Sequence, residues 1–534
     1  MKRRTRPGLA LIFHAHLPWI RHEEHPDFLE ERWLFEALRE CYLPLLLVFE
    51  RIASSGASFR AAVSLSPTLR AMWADPLLQR RFARYMEAAI EFAQRQCREL
   101  RDDARFHGPA RHHLERARQV YAFWKDACRE NPLGRFVELQ RAGVLELFTT
   151  SATHALLPLY RDVPEAVRAQ IMIGVDTFAS DTGDHARGFW LPECAYHPDL
   201  DADLAASGAR YTNLDTHGLT RAHPLAERGV FAPAGNARGF AFFARDPELT
   251  RRVWSAAEGY PGHPDYREFY RDLGHEVPES ELGRAAGPAG IRVDSGMKLW
   301  RVTGGSAEKQ PYRREDALAR AREHAADFAA RAADRARAAQ ESMDRPALLV
   351  APFDAELFGH WWYEGPEWIE ALTDAVEPAG LEFVTPSDWL ERHPRLQMLE
   401  PAESSWGRGG AHEPWITPVN QWMRDGAAEA ARRLVGLVRD SAASPKTAAA
   451  RRAQDRALSQ AARHVLLAMA SDWPFMAAGG TAAEFARTAA RDQLDRFDVI
   501  ETMLHSRRVN SRTLQALEQL DPLFSPLDLR TYFR

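Results

Sequence analysis

Short apolar runs rich in β-formers recur along the first three-quarters of the chain, and stretches of helical periodicity separate them. The runs are GLALIF (8–13), FRAAVSL (59–65), VLELFTT (144–150), GFWL (188–191), ARYTNL (209–214), GFAFFA (239–244), PALLVAPFD (346–354) and LEFVTP (381–386). A strand covered on both faces reads as a continuous apolar run, and strands alternating with helices give a parallel sheet. The expected fold is therefore α/β, a parallel sheet closed into or approximating a β/α barrel. Residues 76 to about 130 are helical and rich in Arg, Glu and aromatics, an insertion or side layer. Residues 222–290 break the rhythm with Pro and Gly and are expected as long loops over one face, where function concentrates. Residues 313–343 form one amphipathic helix with a solvated charged face. Beyond about residue 396 the strand signals stop, and segments 427–440, 448–470 and 481–506 have helical periodicity. The expected division is a barrel over 1–395 and an α-helical domain over 396–534 that completes the cleft.

Charge and cysteine content narrow the function. With 69 basic and 74 acidic residues the net charge is -5, and no basic run is interleaved with aromatics, so nucleic acid is not an expected partner. Cys41, Cys97, Cys128 and Cys194 form no CxxC spacing, which fits a reduced compartment and argues against a structural zinc site. The basic start MKRRTR leads into an apolar run broken by His14 and His16, which reads as a first strand and not a secretory leader. No stretch reaches the ~18 apolar residues a membrane span needs, so no membrane partner is expected and the cytoplasm is the expected location. Fifteen tryptophans supply flat faces of the kind sugar rings pack against.

Several of the runs end in polar residues: His14 and His16, Ser64 and Ser66, Thr149 to His154, Glu193, Asp215 and His217, Arg245 and Asp246, and Asp354. The C-terminal ends of barrel strands are where catalytic groups collect. Glu193 in GFWLPECAY and Asp354 in LLVAPFDAELFGHWW are two carboxylates at the ends of buried strands, each near a Trp. Cleavage of a glycosidic bond uses such a pair, one group attacking the anomeric carbon and the other protonating the leaving oxygen and later activating the incoming acceptor. Two alternatives stay open from the residues alone. Glu193 could be an ordinary acid at a helix N-terminus. The HAH motif at 14–16 could hold a metal, as in metal-dependent deacetylases, or could bond sugar hydroxyls.

Five segments then carry a resemblance. HAHLPW (14–19), ATHALLPL (152–159), GFWLPECAY (188–196), FDAELFGHWW (353–362) and SDWPFM (471–476) resemble, in order, the five sequence regions of glycoside hydrolase family 57. Residues 243–274 and ESSWGRGGAHEPW (403–415) are similar to segments that mark the 1,4-α-glucan branching enzymes of that family. The resemblance implies an incomplete (β/α)7 barrel with a C-terminal helical domain, and retaining chemistry on α-1,4-glucan with no metal and no cofactor. It makes Glu193 the nucleophile and Asp354 the general acid/base. It implies that His14, His16 and His154 contact substrate, as do Arg267, His360, Trp406, Trp415 and Asp472. Trp190 and Trp361 are either barrel packing or sugar platforms, and Trp473 is core. Segment 231–240, FAPAGNARGF, stands where these branching enzymes carry a tyrosine-bearing loop over the site; it has no tyrosine, so looser closure and more hydrolysis are expected. Alternative activities are an α-amylase or 4-α-glucanotransferase of the same family, and more remotely a deacetylase or a non-catalytic glucan-binding protein. A monomer is the expected state.

Overall fold

The computed structural model describes residues 6–255, 258–306, 308–441, 447–480, 482–525, 527 and 529–533. Ten strands are present among them: β1 (Gly8–Ala15), β2 (Ala61–Leu65), β3 (Leu145–Thr150), β4 (Phe189–Trp190), β5 (Tyr211–Leu214), β6 (Ala234–Gly235), β7 (Ala241–Ala244), β8 (Leu348–Asp354), β9 (Glu382–Phe383) and β10 (Gln397–Met398). The central sheet runs β4-β3-β2-β1-β8, all parallel. A parallel bridge from Gly188 to Tyr211 carries it onto β5, which pairs in parallel with β7. All eight residues of β1 are buried, because helices cover one face and the barrel interior the other.

The curved sheet of β8, β1, β2, β3, β4, β5 and β7 is an incomplete (β/α)7 barrel. At its seam the Asp246 N–H donates to the Val350 carbonyl at 2.7 Å. Pro352 lies two residues further along β8, so its nitrogen faces the same side as that carbonyl and its missing N–H falls at the seam instead of in the β1 ladder.

Helices Pro76–Glu99 and His107–Ala122 lie between β2 and β3 in the chain. The long helix Arg314–Gln340 buries a stripe of Ala317, Ala321, Ala325, Phe328, Ala332 and Ala336, small enough for close packing on helix Gly365–Ala375. Past the barrel, helices Gln421–Ser441, Ala448–Ala468 and Ala483–His505 pack together. Strand pairing persists beyond residue 396, since β10 lies parallel to β6. Barrel strands and C-terminal helices share one hydrophobic cluster, which contains Leu11 and Val350 together with Leu434, Leu466 and Phe497. No helix among the described residues is long and apolar enough to cross a membrane.

Segment 231–240 does not take the place expected for a loop over the site. β6 runs antiparallel to the start of β7, and the Phe231 carbonyl accepts from the Leu348 N–H, the first residue of β8, at 2.8 Å. The segment therefore sits by the N-terminal ends of the strands, opposite the end that carries Glu193 and Asp354. Asn236 fastens its turn, with Oδ1 accepting from the Arg238 and Phe240 N–H groups and Nδ2 donating to Asp201. A short hairpin pinned in this way has no reach to the other end of the barrel.

Candidate active site

Glu193 follows β4 at a turn where its own backbone is left-handed, φ 60, and so is that of Cys194, φ 49. Such values are uncommon for residues with a side chain and persist only where the surroundings enforce them. Trp406 is part of that enforcement. Its backbone N–H donates to the Glu193 carbonyl at 3.0 Å, and its indole N–H donates to Glu193 Oε2 at 2.7 Å. Burial pushes the Glu193 carboxyl up to about 7, against the pull of the Trp406 and Ser471 donors; Asp472 adds a like charge, and His16 pulls the other way.

Asp354 ends β8 and stands level with His14 on the neighbouring β1. Burial is the main reason its carboxyl lies well above the usual carboxylate range, followed by the charges of Glu356 and Glu193. An acid kept protonated near neutrality is what protonation of a leaving oxygen requires. Glu356 is held in place by the Tyr42 hydroxyl and by the His16 N–H at 3.2 Å.

Three imidazoles form a row beside the carboxylates. His14 stacks on the Trp190 ring at 4.6 Å, and the His16 and His154 rings stack at 3.8 Å, 13° from parallel. His14 Nε2 and His154 Nε2 are 2.9 Å apart; His14 Nδ1 meets Ser64 Oγ at 3.2 Å and His154 Nδ1 meets Ser471 Oγ at 2.9 Å. His16 Nδ1 meets Ser66 Oγ at 3.0 Å and its Nε2 meets Asp472 at 3.1 Å. Burial drives His14 and His154 well below the ordinary histidine range, so both are neutral at physiological pH. His16, His154 and Asp472 offer ligand atoms within 4.8 Å of one another. The His16 and His154 rings stack, and both ring nitrogens of His154 have partners in His14 and Ser471.

Asp354 and Glu356 open into a cleft of about 1290 Å³ whose walls include Trp254, Phe269, Tyr270, Trp361 and Phe475. Trp361 is 51% exposed and stacks on Phe269 at 4.2 Å, and Tyr270 is 80% exposed. This wall comes from the Pro- and Gly-rich excursion after β7 together with the turn after β8. Segment 231–240 contributes nothing to it.

The structure separates the expected ligand residues. Trp406 edges onto Trp190 at 5.3 Å and Trp254 at 6.2 Å, beside Glu193. Trp190 is fully buried beneath His14, so of its two readings packing holds. Trp415, expected on the groove, is 1% exposed, packed on Leu156 and Ala195 and stacked on Phe475; no ring face is left for a sugar. Arg267 braces the cleft wall from behind. Its guanidinium is buried 4.4 Å over the Tyr363 ring and donates to the His360 carbonyl at 2.9 Å. His360 Nδ1 in turn meets Glu40 at 3.0 Å. Trp473 is core, its indole N–H donating to the Leu467 carbonyl. Sequence reasoning missed Glu356, Ser471, Phe269 and Tyr270. Glu356 was findable, two positions beyond Asp354 at a strand end, whereas the others had no signal beyond lying in quoted segments.

Residues 10–401 match the glycosyl hydrolase family 57 model, and residues 427–532 match the model of the 1,4-alpha-glucan branching enzyme C-terminal region. The chain is 30% identical to the 1,4-alpha-glucan branching enzyme of Thermococcus kodakarensis, over 98% of this chain and 78% of that one. Among solved structures, the alpha-amylase AmyC of Thermotoga maritima is similar with a TM-score of 0.92, 34% identity and 99% coverage of both chains. The branching enzyme of Pyrococcus horikoshii is similar with a TM-score of 0.86 and 30% identity, over 99% of this chain and 97% of that one. The order of catalytic segments along the barrel and the matches over nearly the whole chain lead to one assignment: this protein belongs to glycosyl hydrolase family 57.

Proposed function

We propose that the protein is a 1,4-α-glucan branching enzyme that works by retaining double displacement. The observation that carries this reading is the carboxyl pair itself. Glu193 is held by the backbone and indole N–H groups of Trp406, and burial with neighbouring carboxylates raises the Asp354 carboxyl well above its ordinary range. Asp354 protonates the glycosidic oxygen as Glu193 attacks the anomeric carbon and forms a glycosyl ester. The resulting Asp354 carboxylate then takes the proton from the 6-hydroxyl of an acceptor glucan, which displaces Glu193 and forms an α-1,6 bond. Retention calls for the two carboxyl groups to act about 5 to 5.5 Å apart in the complex. The exposed Trp361 and Tyr270 are the sugar platforms in this reading, and His14, His16, His154 and Asp472 bond hydroxyls. The segment after 396 reaches the cleft through Phe475, the Glu193 carboxylate through Trp406 and His16 through Asp472. We place the enzyme in the cytoplasm, as a monomer acting on a glycogen-like polymer.

A second reading is supported by the likeness to a protein titled an alpha-amylase. In it water, not a sugar hydroxyl, resolves the glycosyl ester. Incubation with amylose, counting new α-1,6 linkages against new reducing ends, separates the two. Branch points in excess support transfer, and reducing ends without branch points refute it.

A further inference from the structure

Helical structure runs without a break from Glu31 to Ser55, but the turn Leu38–Tyr42 inside it is π-helical, with the Leu43 N–H donating to the Leu38 carbonyl five residues back. Such turns are rare and recur at functional sites. The sequence supplies a local cause. Pro44 has no N–H for the Glu40 carbonyl four residues before it, and in a regular α-helix its ring would crowd that carbonyl. The Glu40 carbonyl lies instead against the backbone of Gly359, where φ is 110 and any Cβ would collide with it.

Three consecutive residues of this turn hold the loop that follows β8. The Cys41 thiol donates to the Ala355 carbonyl at 3.0 Å, the Tyr42 hydroxyl donates to Glu356, and Glu40 Oε2 meets His360 Nδ1 at 3.0 Å. The loop has Asp354 at one end and the exposed Trp361 at the other. His360 is the corner of that second end. Its ring lies edge-on to Trp361 at 5.7 Å and to Phe269 at 5.3 Å, and those two rings stack on each other at 4.2 Å. Its carbonyl is tied from the cleft wall by Arg267. Glu40 is 7% exposed and is not among the described residues that line the cleft, so it can reach a substrate only through His360.

We propose that Glu40 is a positioning residue for glucan binding: the π-helical turn presents it to His360, and His360 holds the Phe269–Trp361 pair as a preformed platform. The proposal rests on the reading of Trp361 as a sugar platform. A ring that must be ordered when the sugar arrives binds it more weakly than one already in place. Removing the Glu40 tie loosens the platform end of the loop, while the Asp354 end keeps its bonds from Cys41 and Tyr42. The effect therefore falls on KM and not on kcat.

A double-mutant cycle in the full-length enzyme on amylose tests this, read as either branch points or reducing ends so that it does not depend on which acceptor resolves the ester. Glu40→Ala and Trp361→Ala are each expected to raise KM by about three- to tenfold with kcat within about twofold. The double variant is expected to be no weaker than Trp361→Ala alone, because no platform is left for Glu40 to hold. Glu40→Gln keeps an acceptor for His360 and should return KM to within about twofold of the unaltered enzyme. Arg267 Nη1 lies 4.0 Å from Glu40, so Glu40→Ala leaves a buried charge with less compensation; if that variant does not fold, His360→Ala removes the same bond from its other end and enters the same cycle. Effects that multiply in the double variant, or an unchanged KM when the tie is removed, would overturn the proposal. An unchanged KM in Trp361→Ala would overturn it through the platform reading, a failure told apart because it shows in that single variant.

Discussion

Replacing Trp406 with Phe removes one hydrogen bond and leaves an aromatic ring in place. The bond lost is the indole donation to Glu193 Oε2 at 2.7 Å; the ring contacts to Trp190 and Trp254 are edgewise and largely kept. A hydrogen bond to a charged group contributes about 1.5–3 kcal/mol, and with Glu193 half-buried the lower end applies. That corresponds to about one pKa unit. The donor favours the ionised form, so its loss raises a carboxyl that burial already pushes up to about 7. In its proposed role as nucleophile, Glu193 must be ionised. At pH 7 the reactive fraction should therefore fall from about one half to about one tenth, a roughly fivefold loss that recovers as pH rises through about 8 to 9. The assay is initial rates of α-1,6 linkage formation on amylose from pH 5 to 9. An acidic limb that stays where it is in Trp406→Phe, or a loss that is uniform across pH, would show that the indole does not tune Glu193.

Glu193→Gln and Asp354→Asn should each lower turnover by at least about a thousandfold with circular dichroism unchanged, since neither amide can form the ester or shuttle the proton. Trp361→Ala should raise KM for amylose by roughly three- to tenfold with little change in melting temperature, because the ring is 51% exposed and acts through its face; an unchanged KM would remove it from the substrate path. Gly174→Ala should lower the melting temperature by several degrees or abolish soluble expression, since an added Cβ would lie 2.1 Å from the Thr150 carbonyl oxygen in the contact of its helix with β3. Prolonged EDTA treatment should leave the branching rate unchanged, and loss of activity restored by a divalent cation would reinstate a metal at His16, His154 and Asp472.

The barrel was legible because parallel strands are covered on both faces: β1 and β8 are unbroken apolar runs, and their last polar residues fall at the catalytic end. The pair Glu193 and Asp354 was legible for the same reason, since a carboxylate closing such a run stands out. What sequence could not resolve was set by tertiary path. Trp361 and Trp362 are neighbours, yet one is 51% exposed and the other 1%, because the turn after β8 sends one outward and packs the other on Trp368. Segment 231–240 carried the right residues to be compared with a lid, but its position follows from pairing with β7 and β10, which local pattern does not encode. Trp406 reaches Glu193 across 213 residues, and no spacing rule links them.

Trp406, whose indole donates to the Glu193 carboxylate, lies 213 residues downstream of it. During synthesis the strand that leads to Glu193 therefore emerges from the ribosome well before that donor. A nascent or clipped chain that stops short of Trp406 thus lacks both the indole that holds the Glu193 carboxylate and the helices that share the barrel's hydrophobic core.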